Sequence, residues 1–181
     1  MTIEGIITTE DSKDKGVAIS NADVWKLIKE PKWLSCDKPI TFLEGKQESF
    51  RLETNNKENI YDLDINRRCI ELKYTFQTRL NTSVRLIRLD INQTHTNPNV
   101  SLEIEEGDPF FEIHKKCIGK KFDNESHIHI YREGFDDRWA YPVSEIFNNP
   151  SDIESTFKGF LGYCNIKGDY KVQGVINDYF R

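Results

Sequence analysis

Three runs of this chain place an apolar residue at every second position. They are Tyr61, Leu63 and Ile65 in "NIYDLDINR"; Ile70, Leu72, Tyr74 and Phe76 in "CIELKYTFQTRL"; and Ile87, Leu89 and Ile91 in "SVRLIRLDI". A period of two marks a strand with one buried face, because successive side chains point to opposite sides of a sheet. The links between the runs are short, with a turn expected at Asn66–Arg68, whereas parallel neighbours need crossovers of a dozen residues or more. The expectation is an antiparallel meander, preceded by a hairpin or two short strands around Glu44-Gly45 in "ITFLEGKQESFRLET".

Two stretches carry the other period. In "SNADVWKLIKEP", Ser20 and Asp23 form a capping box, Val24, Leu27 and Ile28 share a face, and Pro31 stops the helix. In "NNPSDIESTFKGFLGYCNI", Ser151 and Glu154 form a second box, and Ile153, Phe157, Phe160, Leu161 and Cys164 recur at helical spacing. The fold class read from this pattern is α+β: an antiparallel meander sheet with an N-terminal and a C-terminal helix packed on it. Residues 1–19 read as a flexible arm or edge strand and 20–181 as one domain with a long loop at 92–125. The tail "YKVQGVINDYF" adds a final strand or short helix.

Charge and composition narrow the function. A formal net charge of −5 argues against a general nucleic-acid binder, whose phosphate contacts need surplus Lys and Arg; no direct DNA binding is expected. No signal peptide and no membrane-length apolar stretch is read, so a cytoplasmic protein is expected, in the host cell if phage-encoded. Cys36, Cys69, Cys117 and Cys164 are widely spaced without a C-x-x-C pair; they read as buried thiols or metal ligands, with Cys36 and Cys69 buried or incidental.

The four histidines, His95, His114, His127 and His129, all fall within one stretch that also contains Cys117. His114 and Cys117 make an H-x-x-C pair, and His127-x-His129 puts two imidazoles on one strand face. A loop pair plus a strand pair suits tetrahedral zinc, which takes Cys sulfur and His nitrogen. His114, Cys117, His127 and His129 are therefore the expected zinc ligands, with His95 as the competing ligand. The bland alternative is two half-exposed strand histidines bonded to their neighbours.

Arg85, Arg88, Asp90 and His95 supply a different chemistry. Metal-independent RNA cleavage needs an imidazole to take the 2′-hydroxyl proton, another group to protonate the leaving oxygen and an arginine to balance charge on phosphorus. His95, Arg88 and Asp90 are the candidates, against the reading of Arg88 and Asp90 as an outward strand pair. Tyr131, Arg132 and Trp139 offer a stacking surface for a base, or core and rim packing. Glu103, Glu105, Glu106 and Asp108 read as a solvated hairpin edge, or as a mimic of phosphates for a DNA-binding partner, and Asp136 and Asp137 as a turn after Gly134.

The order of Arg88 and Asp90, His95 with Asn97 and Pro98, His127, His129 and Tyr131, Glu133, Gly134, Asp137, Trp139, Ala140 and Cys164 resembles a bacterial and prophage family of unknown function, over residues 20–166. The R-x-D…H…H-x-H order is also similar to toxins of the TumE type, a likeness that implies a RelE-like fold and RNA cleavage. In profile the chain is similar to phage anti-CRISPR proteins, which implies a protein partner such as a type II CRISPR effector nuclease. Two functions are thus expected: a zinc-binding inhibitor of a host defence nuclease, or an RNA-cleaving toxin of a toxin–antitoxin pair. Zinc on His127 and His129, together with the acidic charge, favours the inhibitor.

Overall fold

The computed structural model describes residues 19–43, 45–55, 58–67, 73–145 and 152–173. The N-terminal arm, Glu44, Arg68, Cys69, Ile70, Leu72, Ser151 and the end of the tail lie outside the described residues.

In chain order the elements are α1 (Asn21–Lys29), β1 (Lys32–Trp33), β2 (Ile40–Thr41), β3 (Gln47–Thr54), β4 (Tyr61–Arg67), β5 (Tyr74–Leu80) and β6 (Val84–Thr96). Then come α2 (Phe111–His114), a 3-10 turn at Lys115–Cys117, β7 (Lys121–Arg132), β8 (Asp136–Pro142), a 3-10 turn at Val143–Glu145, α3 (Ile153–Tyr163), β9 (Ile166–Lys167) and β10 (Val172–Gln173). The main sheet runs β8-β7-β6-β5-β4-β3-β1-β9. From β3 to β8 it is an antiparallel meander, as expected, with a long connection between β6 and β7. β2 and β3 do not form the hairpin: β2 pairs in parallel with β10, apart from the main sheet.

Both long helices start where a short polar side chain satisfies a free backbone N–H. Ser20 accepts from the Asp23 N–H at 3.2 Å and its hydroxyl donates to Asp23 Oδ2 at 2.7 Å. At α3 the N-cap is Asp152, which accepts from the Ser155 N–H at 2.8 Å, while Glu154 pairs with Lys158 one turn on. α1 ends where Glu30 turns extended before Pro31. There the buried Lys32 ammonium donates to the carbonyls of Leu27, Ile28 and Glu30 at 2.8, 3.0 and 2.8 Å, capping the helix end.

The helices cover one face of the sheet. Phe76 on β5 meets Phe157 and Phe160 of α3 at ring-centroid distances of 5.0 and 6.1 Å. Register defines the faces, since residues paired across an antiparallel ladder point the same way. Phe50, Leu63, Thr78, Ile87, Ile130 and Trp139 form one continuous core-side row. The adjacent rows face away from the helices: Ser49, Asp64, Gln77, Arg88, His129 and Ala140; then Gln47, Asn66, Thr75, Asp90, His127 and Pro142.

Two expectations change. Asn66 and Arg67 are strand, not turn. The irregular segment expected at 92–125 shrinks to 97–120, because β6 and β7 stay paired through two bulges as far as Thr96 and Lys121. Asn92 and Asn124 adopt positive φ, each 53°, a conformation asparagine tolerates better than most residues. Of the two readings of Tyr131, Arg132 and Trp139, core packing holds, since all three are buried and offer no stacking surface. No helix among the described residues is long and apolar enough to cross a membrane.

Candidate functional site

The side of the sheet away from the helices carries a buried polar cluster. Asp90 is its centre: Oδ1 accepts from Thr75 Oγ1 at 2.8 Å and Gln93 Nε2 at 3.3 Å, and Oδ2 accepts from Arg88 Nε at 3.0 Å. Arg88 also binds Asp137 through Nη1 and brings Nη2 to 3.0 Å from His129 Nε2. Burial pushes the Asp90 carboxyl pKa up, but the His129 contact, the Arg88 charge and the Thr75 bond outweigh it and carry it to about 2.

The two strand imidazoles are fully buried and oriented alike. His129 Nδ1–H donates to the Asp137 carbonyl at 2.8 Å, and His127 Nδ1–H donates to the Glu125 carbonyl at 2.8 Å. Each therefore turns Nε2 toward Asp90, at 3.3 Å from His129 and 3.9 Å from His127. His127 Nε2 is buried without a hydrogen-bond partner among the described residues. Burial, then neighbouring His129, lowers His127 to about 4, so its ring is neutral at pH 7. His129 Nε2 touches a group that only donates, Arg88, and one that only accepts, Asp90. A bare Nε2 suits the first, a protonated one the second.

His95 completes the group from the bulged end of β6. Its ring stacks on His127 at 5.7 Å and meets His129 edge-on at 4.5 Å. Its tautomer follows from Asn97, a buried residue of the H-x-N-P motif. Asn97 Nδ2 donates to the Cys117 and Ala140 carbonyls, both at 2.8 Å, and Oδ1 accepts from the Ala140 N–H at 2.8 Å, so the amide has one orientation. His95 Nε2 faces that Oδ1 at 3.1 Å and the Arg138 carbonyl at 3.0 Å. Both accept, so the proton sits on Nε2 and Nδ1 is the basic nitrogen. Burial, with His129 second, lowers the His95 pKa, which favours the neutral base.

Beside the cluster lies an open cleft of about 470 Å³ lined by Arg85, Arg88, Asp90, Gln77, Gln93 and His95, among others. Arg85 is half exposed at its rim, 3.6 Å from Asp137.

The sequence model of a family of unknown function (DUF6978) matches residues 19–166. The chain belongs to that family. No curated protein and no solved structure matches it. In this DUF6978 chain every residue of the cluster lies within the matched stretch.

Asp90, His127 and His129 could hold a metal ion, their ligand atoms lying within 4.8 Å of one another. Of the expected zinc ligands, only His127 and His129 come together there. His114 packs on Trp139 at 4.4 Å and shares a 2.9 Å hydrogen bond between Nδ1 and the Tyr141 hydroxyl. Trp139 and Tyr141 belong to the core-side rows, so the sheet separates His114 from His127 and His129. Cys117 is buried and falls outside the candidate metal group. The expected catalytic set of His95, Arg88 and Asp90 does converge in this DUF6978 chain. The sequence reading missed Thr75, Gln77, Gln93 and the role of Asp137, because partners across a sheet follow from register, and a single sequence does not fix it. Asp108, read as a solvated acid, instead binds buried Arg132 through both carboxylate oxygens.

Proposed function

We propose that this protein cleaves RNA without a metal, using His95 as the proton carrier and Arg88 as the phosphate-facing cation. The observation that carries the reading is a half-buried imidazole of fixed tautomer standing with a guanidinium on the wall of one open polar cleft. His95 Nδ1 takes the proton of a ribose 2′-hydroxyl as its oxygen attacks the adjacent phosphorus. Arg88, with Arg85 at the rim, balances the charge building on the phosphoryl oxygens. The departing 5′-oxygen, opposite the attacking one, takes its proton from water while the imidazolium gives its own back to solvent, which leaves a 2′,3′-cyclic phosphate and a 5′-hydroxyl. His127 and His129 are too buried to touch substrate; His129, with Asp90 on the cleft wall, holds the guanidinium in place.

A second reading, a zinc ion on Asp90, His127 and His129, has its own support. The orphaned His127 Nε2 and the two Nδ1–H bonds to backbone carbonyls are what a ligating histidine pair would show. Against it, Arg88 already donates to Asp90 Oδ2 and lies against His129 Nε2, two of the three ligand atoms. A zinc staple for the 97–120 segment, as the inhibitor reading needs, gains nothing from His114 and Cys117 as they are placed.

The test is incubation with total RNA in the presence of a chelator. Cleavage should persist, should yield 2′,3′-cyclic phosphate ends, and should fall by about 100-fold or more in His95→Ala. No cleavage, or undiminished cleavage in that variant, refutes the reading.

A further inference from the structure

The cleft floor beyond Arg88 presents hydrogen-bond acceptors, and the geometry points to a nucleotide base with an exocyclic amino group as the group seated there. This deepens the ribonuclease reading and rests on it for the phosphate next door. Two amide side chains carry the argument. Gln93 commits Nε2 inward, to the Tyr74 carbonyl at 3.0 Å, Thr75 Oγ1 at 2.8 Å and Asp90 Oδ1 at 3.3 Å. Gln77 commits Nε2 to Asp64 Oδ2 at 2.7 Å. A carbonyl and a carboxylate only accept, so neither amide can be turned around.

Each Oε1 is consequently the outward atom of a residue lining the cleft. Neither oxygen is a buried atom lacking a partner, and neither has a hydrogen-bond partner among the described residues. Thr75 and Asp64 add nothing to the ligand, since Thr75 is used by Asp90 and Gln93, and Asp64 by Arg79 and Gln77. Two acceptors beside the cations Arg85 and Arg88 suit a ligand that joins an amino group to a phosphate. Cytosine and adenine present such an amino group on the Watson–Crick edge, where uracil presents a carbonyl oxygen that would face these oxygens unfavourably.

The probes are cytidine 3′-monophosphate, uridine 3′-monophosphate and inorganic phosphate, titrated into the full chain. The cytidine nucleotide should bind about tenfold more tightly than the uridine one, the factor for one well-placed amino contact. Gln77→Met and Gln93→Met should each move that ratio toward one. Gln77→Met leaves Asp64 held by Arg79 at 2.6 and 2.9 Å, so the strand pairing keeps its charge partner. Equal affinity for the two nucleotides, no binding of either, phosphate binding as tightly as both, or an unchanged ratio in both variants overturns the inference. RNA cleavage without base preference sinks this inference alone. Cytidine preference without cleavage sinks the ribonuclease reading and leaves the base site standing.

Discussion

Replacing Asn97 with aspartate changes one atom, yet the structure predicts it to be more damaging than deleting the side chain. Asn97 is 3% exposed. Three of its hydrogen bonds are buried, two donated to the Cys117 and Ala140 carbonyls and one accepted from the Ala140 N–H. Asn97→Ala loses all three, at about 1 kcal/mol each, for a total of roughly 3 kcal/mol. Asn97→Asp keeps the accepted bond but sets a carboxylate oxygen 2.8 Å from two carbonyl oxygens, with no donor to offer. An uncompensated buried charge costs about 3–5 kcal/mol, beyond the two lost bonds. The introduced carboxyl should have a raised pKa, so its penalty shrinks as pH falls and a proton restores one donor. Urea midpoints for the parent and both variants at pH 7 and pH 5 measure this. An aspartate variant more stable than the alanine variant at pH 7, or a gap independent of pH, refutes the assignment of the amide. With it would go the tautomer of His95, which imidazole nitrogen shifts read directly.

Lys32 is pulled down to about 8 by burial, against 10.5 for the free group. The unfolded chain then binds the extra proton between those values, so stability should rise by roughly 3 kcal/mol from pH 8 to 10.5; Lys32→Met should flatten that slope in pH-dependent denaturation. Phe160→Ala removes a fully buried ring from the α3–Phe76 contact and should cost about 3–5 kcal/mol, read as a lower urea midpoint. Zinc added to the chelator-treated chain should leave its melting temperature unchanged while Arg88 holds Asp90 and His129. An upward shift abolished by His127→Ala would instead place the ion there.

Much of the scaffold was legible because two periods suffice for it. Tyr61, Leu63 and Ile65 are all core-side, and α1 buries Val24, Leu27 and Ile28 as its spacing requires. Parity also put Arg88 and Asp90, and His127 and His129, on shared faces. The reach of β6 and β7 was hidden because bulges between Asp90 and Gln93, and between Gln93 and His95, break the alternation where His95 sits. The misplaced zinc set has a related cause. Sequence proximity joined His114 and Cys117 to the H-x-H pair, but the 97–120 segment brings His114 against the helix-side row of the sheet. Nothing local to H-x-x-C states which side a returning segment takes.

The side away from the helices explains why two histidines can share a strand face that is neither apolar core nor solvated surface. Asp62, Asp64 and Asp90 are each at most 6% exposed there, and each is met by an arginine: Arg51, Arg79 and Arg88. Ion pairs built on a buried carboxylate seldom outperform apolar residues for stability, since desolvation offsets most of their attraction. What they supply is position. Arg79 is tied by both oxygens of Asp64, which leaves Gln77 a single way to lie. Arg88 is spread over Asp90, Asp137 and His129, which leaves it one way to face the cleft. Pre-set orientation of this sort is what a site needs when charge develops on a bound group, because the protein has nothing left to reorganise. On this argument the weak link is Asp137, which anchors Arg88 through a carboxylate and His129 through its backbone carbonyl. Asp137→Asn keeps the carbonyl and removes the charge. It should therefore loosen Arg88 and lower RNA cleavage while leaving the His129 ring fixed. A variant with full activity would show that the guanidinium needs no such anchor.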